Sequence, residues 1–313
     1  MNRERLVDEV REALAKTGFY LSDRHTGRGL CFDVVARRDQ TLLLIKALQN
    51  VDAFSRGNAD ELRMIARTLG GSPLVVGERS GTGALEDGVV YNRFGVPIVS
   101  RQTFIDFFEE GVPPFIFSAP GGLYVRLDTD ALRRLRDERQ ISLGALADIA
   151  GVSRRTIQMY LEGMSATVDI AIRLEEFLGE PIVVPVDPFL FSASVERVLS
   201  SFARLQELER DVFRRLEHLG YDVLPTIRCP FEAFTQHEET TLLTGVGGPE
   251  ENLARKAAIV SNIGKVVERD AVLFVQRRTV RVSLEGIPVI GRDELRKAKD
   301  LDSIEELIAE RKS

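Results

Sequence analysis

Two cysteines in 313 residues, Cys31 and Cys229, are too few for a disulfide framework and fit a reducing compartment. No run of about 18 apolar residues occurs, and the opening Met1-Asn-Arg-Glu-Arg-Leu-Val lacks the apolar stretch of a secretion signal. A cytoplasmic protein with no membrane partner is expected. The three histidines, His25, His218 and His237, are scattered, with no cysteine or carboxylate at ligand spacing, so no metal site is expected. Gly81-Thr-Gly83 and Gly247-Gly-Pro-Glu250 lack the context of a phosphate-cradling loop, and no cofactor is called for. An excess of basic charge is missing too. The net charge is −6 and the pI about 5.4, which argues against nonspecific coating of nucleic acid and leaves a local basic face to be found.

What is present is an ordinary soluble composition, 44% hydrophobic and 29% charged, in a chain long enough for two or three domains. Its most informative stretch runs from Ser142 to Glu162. Ser142 can cap a helix whose apolar stripe is Leu143, Leu146, Ala147 and Ile149, and Gly151 follows where the chain must reverse. Ser153 then caps a second helix. Ile157 and Leu161 lie at i, i+4 and face inward, which leaves Arg154, Arg155, Gln158 and Met159 facing out. An outward face of arginine and glutamine on so short a helix suits base edges in a DNA major groove. From 131 to 160, Arg133, Arg134, Arg136, Arg139, Arg154 and Arg155 stand against Asp137, Glu138 and Asp148, a local excess of +3.

The pattern Leu146-Ala-x-x-Ala-Gly-Val-Ser-x-x-Thr-Ile-x-x-Tyr160 resembles the helix-turn-helix of the lambda repressor and Cro family. Ala131 to Gln140 fits that family's first helix, and Thr167 to Leu178 the helix that closes its small bundle. The resemblance implies double-stranded DNA as partner and Ser142, Ser153, Arg154, Arg155, Thr156, Gln158 and Met159 as the DNA-binding residues. By analogy, Arg154, Arg155 and Met159 meet base edges, with Gln158 joining them. Ser142 and Ser153 meet phosphates with hydroxyls, backbone amides and helix dipoles. Arg133, Arg134 and Arg136 are candidates for further phosphate contacts. One such motif reads few base pairs, so a homodimer is expected.

Around this centre the pattern is α/β. A helix over 4–16 carries Leu6, Val10 and Leu14 on one face and ends at Gly18; a hairpin of Leu30–Ala36 and Thr41–Ala47 follows, with Arg37 and Arg38 in a solvated turn. Next come a helix from Ala59 to Leu69 capped by Asn58, a buried strand Pro73–Gly77, a strand Gly95–Val99 and a helix Gln102–Glu109. Gly111-Val-Pro-Pro114 and Pro181-Ile-Val-Val-Pro-Val-Asp-Pro188 mark boundaries. Three segments are therefore expected: an α/β domain at 1–112, a hairpin turning at Pro120-Gly-Gly122 plus the helix-turn-helix at 113–187, and a second α/β domain at 188–313. The second repeats the first, since Leu208, Val212, Leu216 and Gly220 fall over Leu6, Val10, Leu14 and Gly18.

Helix, hairpin, helix, strand is also the core order of the PD-(D/E)xK nuclease superfamily, and Asp33 with Lys46 resembles its Asp and Lys positions. The family's second acid belongs two residues before the lysine, where this chain has Leu44; the second copy has Glu232, Leu243 and Gly245. A single carboxylate does not hold Mg²⁺ for phosphodiester cleavage. The expectation is a degenerate, restriction-endonuclease-like fold used twice, no enzyme activity, and a transcriptional regulator. A nuclease or DNA-repair factor and a protein-interaction scaffold are the alternatives. With Phe32-Asp33, Gly77-Glu-Arg79, Leu85-Glu-Asp-Gly-Val89, Gly95-Val-Pro97 and the helix-turn-helix, the whole chain resembles an archaeal family of HTH-type transcriptional regulatory proteins. That family is described only by its motif, so operator and small-molecule effector stay unassigned.

Overall fold

The computed structural model describes residues 2–24, 30–191, 205–247, 250–276 and 282–312; His25 and the middle of the Gly247-to-Glu250 turn lie outside the described residues. The first helix is Arg3–Lys16, started by Asn2, whose side chain accepts from Glu4 N, and it buries Leu6, Val10 and Leu14. The hairpin is Val34–Arg38 against Thr41–Asn50, with Val34 opposite Ile45. Its first strand starts four residues later than the apolar run suggests. The next helix, Arg56–Leu69, begins before the expected cap and takes Asn58 into its own first turn. Ser72–Ser80 and Val96–Ser100 are parallel, Val75 opposite Ile98, and Val89–Arg93 pairs antiparallel with the latter. Arg101–Ile105 then winds on through a wider turn, Asp106–Glu110, to Gly111, whose φ of 69° only glycine takes readily.

The C-terminal segment has the same elements in the same order. Helix Glu207–Leu219 ends at Gly220; Ala233–His237 and Thr240–Val246 form a hairpin with Ala233 opposite Thr244; helix Glu250–Val267 follows. Ala271–Val275 and Ile287–Gly291 are parallel, with Ser283–Leu284 antiparallel on the latter. Both hairpins share one register, since Asp33 N donates to Ile45 O (2.7 Å) and Glu232 N to Thr244 O (2.9 Å). Apolar runs buried on both faces, such as Leu42 to Ile45 and Leu242 to Val246, are what a sheet covered by helices requires.

Between the copies, Ile116–Ala119 and Gly122–Leu127 form a hairpin that carries the helical bundle. Gly122–Leu127 pairs antiparallel with two short strands from the bundle's far end, Ala166–Thr167 and Val183–Val184. Ile116 also lies opposite Val89 in a parallel pair. The bundle is therefore bonded into a sheet rather than tethered by a linker.

The chain condenses into two compact units, each discontinuous in sequence: 1–17, 47–55 and 73–193; and 18–46, 56–72 and 194–313. The first holds the helix-turn-helix. Within the second, Arg37 departs from the expected solvated turn. Its guanidinium donates to Val266 O (2.9 Å) and Val267 O (3.1 Å) and pairs with Glu268, capping the carbonyl end of helix Glu250–Val267. Arg38 lies 4.6 Å from the centre of the Phe19 ring.

Candidate DNA-binding face

Four short helices build the central bundle: Thr129–Glu138, Leu143–Ala150, Arg154–Leu161 and Val168–Leu178. Three of the four starts are capped by a side chain, and Thr167 before the last helix makes no such bond. Asp128 accepts from Asp130 N and Ala131 N; Ser142 Oγ accepts from Ala145 N, and Ser153 Oγ from Thr156 N, both at 3.1 Å. Gly151 closes the second helix in the left-handed conformation (φ 70°), and Arg173 donates to the Ala150 carbonyl beside it at 3.1 Å. The bundle's core takes Leu146, Ala147, Ile157, Tyr160 and Leu161. One element of the expected stripe is wrong: Ile149 is 38% exposed, and Ala150, one position on, is buried instead. The 3.6-residue turn puts 143, 146, 147 and 150 on one side, and Ile149 falls off it.

Helix Arg154–Leu161 divides cleanly. Ile157, Tyr160 and Leu161 are buried; Arg154, Arg155, Gln158 and Met159 are exposed. Burial of Tyr160 also pushes its phenol above the usual range, which keeps it neutral in the core. Thr156 is half-buried, and its hydroxyl meets Ser153 Oγ at 2.9 Å, so it completes the cap. Gln158 Nε2 donates to Glu162 Oε1 at 2.9 Å. The Arg154 guanidinium folds back over Gly144, in the first turn of the preceding helix.

The arginines sort differently from the count of +3. Arg133 donates to the Leu161 carbonyl and lies 3.5 Å from Asp130. Arg134 pairs with Glu138 and Glu180, and Arg136 with Asp137. Arg139 takes Glu180 (3.0 Å) and the Leu178 carbonyl (2.6 Å). On the first helix, Arg133 thus caps a carbonyl and Arg134 and Arg136 pair with acids, while Arg133 and Arg134 stay exposed to solvent. Among the described residues, Arg154 and Arg155 are the two arginines of the six with no acidic partner. Both lie in the first turn of helix Arg154–Leu161, and Arg154 also lies over the first turn of Leu143–Ala150, amide ends that favour an anion.

At the nuclease-like position, Asp33 Oδ1 and Lys46 Nζ are 3.2 Å apart and both buried; Lys46 also donates to Leu30 O at 2.6 Å. In the second copy Gly245 occupies the register position of Lys46. The lysine has not vanished: Lys256 reaches over from helix Glu250–Val267, donating to Glu232 Oε1 (2.5 Å) and Val246 O (2.8 Å). The cation stands on the facing helix instead of the strand, where its spacing from Glu232 no longer matches that of Asp33 and Lys46. Burial pushes the Glu232 carboxyl upward against the opposing pull of Lys256.

These features define a helix-turn-helix protein with a PD-(D/E)XK-type α/β fold beside the motif. Residues 3–114 match the PD-(D/E)XK superfamily domain, and residues 132–184 match the helix-turn-helix family. Full-length relatives carry the name HTH-type transcriptional regulatory protein. They include one from Methanocella arvoryzae (37% identical over 99% of this chain and 97% of the relative). One from Halorubrum lacusprofundi is 39% identical over 99% and 98%, and one from Pyrococcus furiosus 38% over 100% and 99%. The chain belongs to this archaeal family of HTH-type transcriptional regulatory proteins. No solved structure matches it. Among the described residues, no helix is long and apolar enough to cross a membrane.

Proposed function

We propose that the chain is a sequence-specific DNA-binding transcriptional regulator whose helix Arg154–Leu161 enters the major groove. The observation that carries this reading is the exposure of Arg154 and Arg155, without acidic partners, beside the Ser142 and Ser153 helix starts. Arg155, Gln158 and Met159 face base edges. Arg154, lying over Gly144, is set to meet a phosphate at the amide end of helix Leu143–Ala150 while it borders the base-reading face. Ser142, Ser153 and Thr156 order the two helix starts that receive phosphate oxygens. The chain is organised as segments 1–112, 113–187 and 188–313, and the α/β segments supply dimer contacts and the seat of any effector. Two motifs of a homodimer then read a palindrome with half-sites about 34 Å apart.

The test is selection of bound fragments from genomic DNA by the purified chain, followed by the Arg154→Ala, Arg155→Ala double variant. A shared palindrome that the double variant no longer enriches supports the reading; recovery of random sequence overturns it. For the recovered site, the double variant should lower the dependence of log K on log salt by about 1 to 2.

The PD-(D/E)XK match favours a second reading, a Mg²⁺-dependent nuclease. Against it, Asp33 is ion-paired with Lys46 in the core and Leu44 stands at the second acid's position, so an oxygen set for the metal is not assembled there. Cleavage of duplex or branched DNA by the wild type in Mg²⁺, lost in Asp33→Ala, would replace the regulator reading with this one.

A further inference from the structure

Cys31, Glu61 and Cys229 are far apart in sequence, 168 positions separating Glu61 from Cys229, and meet inside the second compact unit. The two Sγ atoms are 3.6 Å apart, Cys229 Sγ is 3.8 Å from Glu61 Oε1, and one ligand atom from each residue lies within 4.8 Å of the others. Cys31 is fully buried and Glu61 is 7% exposed. The cluster is rigidly held. Glu61 Oε1 accepts from Ile227 N (2.6 Å) and Arg228 N (2.7 Å), and Cys31 N donates to Arg228 O (2.9 Å). The other carboxylate oxygen, Glu61 Oε2, is buried and accepts no hydrogen bond among the described residues, with the Arg228 guanidinium 3.5 Å away as an ion pair.

We propose that Cys31, Cys229 and Glu61 form a binding site for a borderline-soft divalent cation of the zinc class. A tetrahedral zinc ion with bonds of about 2.3 Å to sulfur and about 2.0 Å to oxygen spaces its ligands about 3.8 Å apart for S···S and about 3.5 Å for S···O. The observed 3.6 Å and 3.8 Å are close to those edges. A disulfide would instead need the sulfurs to close to about 2.05 Å. Charge agrees with a metal. Two thiolates and a carboxylate around a divalent ion leave one negative charge, and Arg228 offsets it. Three protein ligands would leave the fourth tetrahedral position to water. The ion would tie the 227–229 loop to the lead-in of the first hairpin and to helix Arg56–Leu69. In the sequence the two cysteines speak only to a reducing compartment; the fold brings them to one carboxylate.

The experiment is an anaerobic Co²⁺ titration of the full-length chain after reduction and chelator treatment, with thiols counted by a chromogenic disulfide before and after Zn²⁺. Expected are one Co²⁺ per chain, a thiolate-to-cobalt charge-transfer band that Zn²⁺ abolishes, and protection of both thiols by one equivalent of Zn²⁺. Cys31→Ser and Cys229→Ser should each lose about half the band, and Glu61→Gln should keep the band with affinity reduced tenfold or more. No band at one equivalent, or a band undiminished in the double serine variant, overturns the site. So does oxidation of the two thiols to an intramolecular disulfide at a rate Zn²⁺ does not change. Should the serine variants misfold by circular dichroism, thiol protection in the wild type decides alone.

Discussion

The guanidinium of Arg154 lies over Gly144, so that a Cβ on that glycine would come 3.1 Å from Nη2 and 3.2 Å from Nε. The absence of a side chain at 144 therefore sets where a cation of the exposed helix rests. Gly144→Ala should stabilise its helix by up to about 1 kcal/mol, because alanine loses less backbone entropy there. It should also displace Arg154. The expected outcome is a higher melting temperature together with several-fold weaker binding to the selected DNA site, read by calorimetry and fluorescence anisotropy. Unchanged affinity would mean that Arg154 reaches DNA from another rotamer.

Ser153 separates capping from DNA contact. Ser153→Ala removes an acceptor for Thr156 N and should cost about 1 kcal/mol of stability. Ser153→Asp keeps an acceptor at the helix start, so stability should stay near wild type, while its negative charge meets the phosphates and affinity falls tenfold or more. Chemical denaturation and a binding isotherm on the same two variants distinguish the effects. Equal affinity of Ser153→Asp and wild type would place this helix start away from the DNA backbone.

The Asp33–Lys46 pair is buried, so removing one member leaves the other's charge without its buried counter-charge. Lys46→Met should destabilise by about 3 to 5 kcal/mol, and the double variant Asp33→Leu, Lys46→Met should recover much of that loss. Lys256→Met should cost less, since Lys256 and Glu232 each keep about a fifth of their side chains exposed to water. Urea denaturation of the four proteins checks the order. A double variant no better than Lys46→Met would show that the pair holds the fold through more than mutual charge.

Tyr221 is 4% exposed, its hydroxyl has no hydrogen-bond partner among the described residues, and burial, with the Glu305 charge second, pushes its phenol up to about 12. The native state thus holds this proton more tightly than the unfolded chain, whose tyrosines titrate near 10. Stability from this group is complete below about pH 10 and is lost as pH rises to about 12, roughly 2 to 3 kcal/mol over that window. Tyr221→Phe should flatten that part of the profile. At neutral pH it should be neutral or stabilising, because it deletes an unsatisfied polar atom. Denaturation midpoints from pH 8 to 12 for both proteins provide the check.

What the sequence determined by itself was local. Serine caps, a glycine that must turn left-handed and apolar spacing along a helix act within one or two turns, so the helix-turn-helix from Ser142 to Leu161 and its outward Arg154, Arg155, Gln158 and Met159 were legible residue by residue. So was most of the order of helices and strands in the α/β copies, though not the strands Val89–Arg93 and Ser283–Leu284, because hydrophobic period and proline or glycine breaks are also short-range. Where the local reading failed, a neighbour a fraction of a turn away decided, as with Ile149 against Ala150. Tertiary structure alone decided which charges meet. It brought Arg133 and Arg139 to carbonyls of other helices, set Arg37 on the end of a helix some 230 residues away, and returned a lysine to Glu232 from a different element. It also gathered Cys31, Glu61 and Cys229. Such meetings depend on how whole elements pack, and a side chain's partner across a sheet or a bundle leaves no periodic trace along the chain.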